Sequence, residues 1–152
     1  MNPIRNTTKY ISEPFPINEI FFYVVENYSF YRINKDTKEK SFLLNFDETY
    51  IGFDISPDQL KVAVTLSDHI INLCTFDNPN ESEIVVGTNA LWGVNNNLFY
   101  QNENKIFNYK GGKTEFVYEN ENNFQLSVTR SRRFLIINES YQNCNQCYYL
   151  DL

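Results

Sequence analysis

The 152-residue chain is poor in the residues that carry most metal and acid–base chemistry. It has a single histidine, His69, so any Ser-His or Cys-His mechanism would have to use it. His69 follows Ser67-Asp68 at an expected hairpin corner, where a solvated turn residue is the simpler reading. Three cysteines, Cys74, Cys144 and Cys147, suit reduced thiols better than a disulfide scaffold in a domain this long. Cys144 and Cys147 have C-x-x-C spacing, but zinc would need two further ligands, and only Cys74 and His69 remain in one distant hairpin. A redox pair would want a helix N-terminus, whereas a variable loop leading into a strand is expected here. Glycine is scarce, and none of the five lies in a G-x-S-x-G elbow or a phosphate-cradling loop. The longest apolar run is six residues from Ile20, far short of the roughly 20 that span a bilayer. The first fifteen residues lack the apolar stretch of a signal peptide. Basic residues are outnumbered 13 to 19, and the net charge of −6 repels phosphates, which argues against nucleic acid or a membrane surface as partner. The composition thus leads to expecting a cytoplasmic chain with no cofactor, no metal and no catalytic residues of its own.

Aromatic residues, by contrast, are abundant, with 13 Phe and 11 Tyr. Aromatic and β-branched side chains suit a pleated, half-buried surface, so the composition favours sheet. Asparagine, which tolerates left-handed backbone angles, supplies corners where glycine does not. Four strand-like peaks recur at Ile20, Leu60, Leu98 and Phe134, spaced by 40, 38 and 36 residues. The last three follow turn-rich spacers: SPDQ from Ser56, NNN from Asn95 and SRR from Ser131. A fixed period near 40 with strand-type peaks is the signature of propeller blades.

The reading along the chain is all-β. Residues 1–16 form an irregular lead-in marked by Pro3, Pro14 and Pro16. Blades are expected over about 17–46, 49–86, 89–119 and 123–152. Strands are expected at 20–25, 28–33, 42–46, 50–55, 60–66, 70–76, 83–86, 90–94, 98–101, 105–109, 114–118, 124–129, 133–138 and 147–152. No segment sustains a helical period over ten residues. The count is about three and a half four-stranded blades. That predicts an open arc of a larger propeller, since closing a four-bladed ring would need 7–11 to supply the missing outer strand.

The residues carrying the period also carry a likeness. ISPDQLKVAV from Ile55, Trp92 followed by LFY at Leu98, VYENENNFQLSVTRSRRFLIIN from Val117 and the ending CYYLDL occur in order. With the stretch from Ile17 to Glu48 they resemble the non-catalytic propeller of the prolyl oligopeptidase and oligopeptidase B serine peptidases, over about 16–152. The resemblance implies a fragment of a peptide-gating propeller whose hydrolase domain, with the catalytic Ser, Asp and His, lies outside this sequence. No catalytic residue carries over. The sequence departs from the family in lacking its N-terminal Asp-Pro-Tyr-Arg-Trp signature and, at SDHIINL, the Gly-Glu pair usual after that strand. Implied partners are a hydrolase domain or peptides, with self-association of open blades as a further possibility. The alternative is a stand-alone propeller-type protein-interaction module.

The remaining candidates have plain readings. Glu81, Glu83, Glu115, Glu119 and Glu121 are expected on solvated blade edges. Arg130, Arg132 and Arg133 could meet a peptide carboxylate, but balancing neighbouring Glu residues at the corner is the expectation. Trp92, Phe99 and Tyr100 are expected to pack between blades rather than to stack on a ligand. The N-x-[ST] sequons at Asn6, Asn27, Asn80 and Asn138 are attributed to the frequency of Asn.

Overall fold

A computed structural model describes residues 21–45, 50–78, 80–129, 131–141 and 144–152. Among them there are fourteen strands and no helix. Sheet 1 contains β1 (Phe21–Glu26), β2 (Ser29–Asn34) and β3 (Lys40–Asn45). Sheet 2 contains β4 (Tyr50–Ile55), β5 (Lys61–Leu66), β6 (Ile70–Thr75) and β7 (Ser82–Val86). Sheet 3 contains β8 (Thr88–Trp92), β9 (Leu98–Asn102), β10 (Lys105–Lys110) and β11 (Lys113–Glu119). Sheet 4 contains β12 (Phe124–Val128), β13 (Phe134–Tyr141) and β14 (Cys144–Asp151). Each strand pairs antiparallel with the next in its sheet.

Local chemistry sets the corners. Gly111 and Gly112 (φ 56° and 79°) fill a two-residue turn between Lys110 and Lys113, where the backbone needs left-handed angles. Between Ile33 and Lys40 the Asn34 side chain accepts the Asp36 and Thr37 amides, at 2.9 and 3.0 Å, and so shapes the turn. Side chains alternate across each strand, which gives every sheet two faces to bury.

Three apolar layers follow one another along the chain. Tyr23, Phe30 and Leu44 of sheet 1 meet Val62, Val64 and Leu66 of sheet 2. Ala63, Ile71 and Leu73 meet Trp92, Leu98 and Tyr100 of sheet 3. Phe99 and Ile106 meet Leu126, Leu135 and Ile137 of sheet 4. Among the described residues no such layer joins sheet 4 to sheet 1, so the sheets form an open arc. Strands β4, β8 and β12 lie side by side along the inner edge. By the faces they present, β1 corresponds to β5, β9 and β13, the second strands.

The sequence expectations meet two differences. Residues 139–146 were expected as a loop, but β13 runs to Tyr141 and β14 starts at Cys144. The two strands pair from Phe134↔Asp151 to Tyr141↔Cys144, because ladder bonds satisfy polar backbone that a loop would leave to water. The C-x-x-C therefore lies within a strand. The first hairpin turns at Asn27-Tyr28 rather than at Glu26-Asn27. The expected lead-in, the 7–11 segment and Arg130 lie outside the described residues.

Candidate interaction rim

Three turns connect the inner strand to the second strand in sheets 2, 3 and 4. Each holds one non-glycine residue in the left-handed region: Gln59 (φ 59°), Asn96 (φ 56°) and Arg132 (φ 55°). Each turn is closed in the same way, by an amide bonded to the carbonyl three residues back. These bonds are Gln59 to Ser56 (2.8 Å), Asn96 to Gly93 (3.2 Å) and Arg132 to Thr129 (2.7 Å). Asp58 adds a local brace by accepting the Ser56 hydroxyl at 2.5 Å and the Leu60 amide at 3.0 Å.

The left-handed residues also connect sheets. Gln59 accepts the Tyr23 hydroxyl of sheet 1 at 3.2 Å. Asn96 accepts the Asp58 amide of sheet 2 at 3.3 Å. The Arg132 carbonyl accepts the Val94 amide of sheet 3 at 3.0 Å. Burial pushes the Tyr23 phenol up to about 12, with the nearby Arg32 acting in the opposite sense.

Arg132 makes the strongest of these links. Its guanidinium grips Asp54 of β4 bidentately, Nη1 to Oδ2 at 2.6 Å and Nη2 to Oδ1 at 2.8 Å. Nη1 also donates to the Trp92 carbonyl at 3.0 Å. The Asp54 carboxylate receives the Trp92 amide at 2.7 Å and the Ile55 amide at 3.0 Å. The Trp92 indole N–H donates to the Asp54 carbonyl at 3.2 Å. Asp54 and Arg132 are 6% and 3% exposed, so the pair is shielded from water and one ion pair joins sheets 2, 3 and 4. A buried carboxylate is tolerated when its lone pairs are met by a fork of donors, as here.

On this frame the turns present apolar surface to solvent. Leu60 is 55% exposed and Val94 is 41% exposed. Asn95 and Asn96 are exposed beside Val94, while Asn97 Oδ1 is buried without a hydrogen-bond partner. Arg133 is exposed and forks onto Asp151 at 2.9 Å through both Nε and Nη2, which holds the Asp151 carboxyl below its ordinary range. The rim thus combines rigid backbone, two apolar side chains and amide-rich turns, a composition suited to protein contact.

The structure disperses the other candidates. His69 (φ 64°) sits exposed on the β5–β6 turn, at the opposite end of the sheets, and its carbonyl accepts the Gly87 amide. Cys74 is buried and Cys147 exposed, on different sheets; burial pushes the Cys74 thiol up. Trp92 and Tyr100 are core between sheets 2 and 3, and Phe99 is core between sheets 3 and 4, as expected. The five glutamates 81, 83, 115, 119 and 121 are exposed. Glu83 accepts the Tyr109 hydroxyl across a sheet boundary, and this bond is the main reason the Tyr109 phenol rises to about 12.

One expectation is corrected. Two of the three arginines find aspartates instead of neighbouring glutamates: Arg132 turns inward to Asp54, 78 residues earlier, and Arg133 pairs with Asp151. Asp54 and the buried Glu139, which accepts from the Tyr118 hydroxyl and Asn120, had no place among the candidate residues. The only sequence signal for Asp54 was an acid inside an otherwise apolar strand end, FDI.

No family model matches the chain, and no curated protein matches it. Solved structures do. A chain of the mitotic checkpoint complex is 14% identical, with 84% of this chain and 43% of that chain covered and a TM-score of 0.61. Hsv2 of Kluyveromyces lactis is 15% identical, covering 85% and 44%, at TM-score 0.65. The β-propeller domain of Cps50 (Swd1) from Myceliophteria thermophila is 12% identical, covering 79% and 45%, at TM-score 0.61. The chain spans less than half the length of each. At these identities the likeness speaks for fold alone: the chain has a β-propeller-type fold and forms an open arc of it.

Proposed function

We propose that the chain is a non-catalytic propeller module whose inner-turn rim docks a protein partner. The observation that carries this reading is the exposure of Leu60 and Val94 on turns held by the buried Asp54–Arg132 pair. Preformed apolar anchors on a fixed backbone bind with little ordering cost. The test is quantitative co-purification from the source cells with wild type, with Leu60→Asp/Val94→Asp, and with Glu103→Lys on the opposite end. One partner near stoichiometric amounts, lost only with the rim variant, is expected. Equal retention by all three chains would contradict the proposal.

A narrower form of this reading is favoured by the sequence likeness to prolyl oligopeptidase propellers, a likeness that includes this chain's ISPDQLKVAV segment, which forms the first rim turn. In that form the partner is a serine hydrolase domain, and the module admits peptides to it. It predicts that the recovered partner carries a G-x-S-x-G elbow and that short-peptide cleavage follows the complex. A partner without that elbow leaves the interaction module and removes the peptidase reading.

A further inference from the structure

We propose that the segment docked on the rim is both acidic and apolar, with a carboxylate side chain seated on Arg32 and an apolar neighbour on Leu60. The inference rests on the docking rim proposed above and names the chemistry of its partner.

Arg32 stands apart from the other arginines among the described residues. Arg132 and Arg133 each fork onto an aspartate. The half-buried Arg32 side chain has no carboxylate and makes no hydrogen bond among the described residues. Its guanidinium carbon lies 4.8 Å from the centre of the Phe21 ring, and its Nε is buried without an acceptor. The ring face attracts the charge but accepts none of the five N–H groups in the way an oxygen does. A guanidinium withdrawn from water without acceptors is costly to the fold, and a ligand carboxylate is the group that repays it bidentately.

The fold sets this cation beside the first rim turn. Arg32 of β2 is directly opposite Tyr23 of β1, so the two side chains share one face of sheet 1. That face is turned to sheet 2: the Tyr23 ring stacks on Phe76, centroids 5.9 Å apart, and its hydroxyl donates to Gln59. The Arg32 charge is near enough to the phenol to oppose the rise that burial causes there. Tyr23 is itself buried and also stacks on Phe30, so the group beneath Arg32 is fixed. Leu60, 55% exposed, is the residue after Gln59. From this turn the row continues through the Asp58 amide to Asn96, beside the exposed Val94. Cation and apolar anchors therefore lie along one continuous path, which suits an extended segment.

The charges along this path favour an acid. Lys61 is exposed at the start of β5, and the Asp58 carboxylate already accepts the Ser56 hydroxyl and the Leu60 amide. One guanidinium balances one negative charge, which a carboxylate carries. A phosphate would bring close to two charges into the field of a chain of net charge −6. The same net charge makes the expectation a sharp one. General attraction to this chain selects basic peptides, so an acidic one has to be held by a particular group.

Selection from a displayed library of short random peptides against the 152-residue chain tests this. The expected consensus places an Asp or Glu within a few positions of Leu, Ile, Val or Phe. For the tightest peptide, synthesised and followed by calorimetry, changing its acid to the amide should weaken binding about tenfold or more. Arg32→Gln, checked for native circular dichroism, should do the same. The two changes together should cost no more than either alone, and Arg32→Lys should restore part of the affinity. Leu60→Asp/Val94→Asp should abolish binding. A consensus without an acid, additive effects of the two amide changes, or tighter binding of a phosphoserine peptide would overturn the proposal. Acid-free apolar peptides lost with Leu60→Asp/Val94→Asp would overturn it and leave the rim standing. Binding that survives Leu60→Asp/Val94→Asp, or no enrichment at all, would overturn the rim reading as well.

Discussion

Replacing Arg132 by alanine removes at least three side-chain hydrogen bonds, two of them to Asp54 and one to the Trp92 carbonyl. The Asp54 carboxylate stays 6% exposed and keeps two amide donors, but it loses its countercharge. Breaking a buried pair from one side costs ~3–5 kcal/mol. Set against a total stability of about 5–15 kcal/mol, that is a large share. At about 2–4 °C per kcal/mol for a chain of this size, the midpoint should fall by roughly 6–20 °C. Two companion variants isolate the cause. Arg132→Gly removes the same bonds but suits φ 55°, sparing part of the ~1–2 kcal/mol that a Cβ costs there. It should therefore be less damaging than alanine by up to about 1 kcal/mol, after the extra entropy of glycine. Asp54→Asn combined with Arg132→Ala removes both charges of the buried pair and should recover about 1–3 kcal/mol relative to Arg132→Ala alone. Urea unfolding at fixed protein concentration, followed by the fluorescence of Trp92, the sole tryptophan, measures all four chains. A loss below about 1 kcal/mol for Arg132→Ala would refute the idea that this pair holds three sheets together, as would a double variant no better than the single.

Further outcomes are expected elsewhere. The Tyr23 phenol rises to about 12 in the fold from an ordinary value of 10, so its contribution is complete below pH 10 and disappears as pH climbs to 12. Alkaline melts should steepen in that window for wild type and flatten for Tyr23→Phe, which at neutral pH should cost ~1 kcal/mol for the lost Gln59 bond. At Gly87 an added Cβ would sit 2.6 Å from the Gln101 carbonyl oxygen, so Gly87→Ala should destabilise by about 1–3 kcal/mol in a denaturant titration. Glu103 holds φ 55° on an exposed turn, and Glu103→Gly should raise stability by up to about 1 kcal/mol by relieving that strain.

The strands were readable because their cause is local. Alternation in FQLSV and KVAVTL, and corners at Asn95–Asn97 and Gly111-Gly112, depend on a few adjacent residues. The β13–β14 extension was missed because NESYQNCNQ has no apolar alternation; its pairing comes from the neighbouring strand rather than from its own side chains. The Asp54–Arg132 pair was invisible for a related reason. Its partners are 78 residues apart, and only the curvature of three sheets brings them together. The arginine cluster drew attention, but the residue that explains it sits in a strand read as apolar core.

Hydrogen exchange by mass spectrometry offers the most direct test of a rim that is preformed. The amides of Ser56, Asp58, Gln59, Leu60 and Lys61, of Gly93, Val94 and Asn96, and of Arg132 are bonded within and between turns, whereas the turns around Asn27, His69 and Glu103 stand at the opposite end. The first set should exchange markedly more slowly than the second, and Arg132→Ala should erase the difference. Equal exchange at both ends in the wild-type chain would contradict a preformed docking rim.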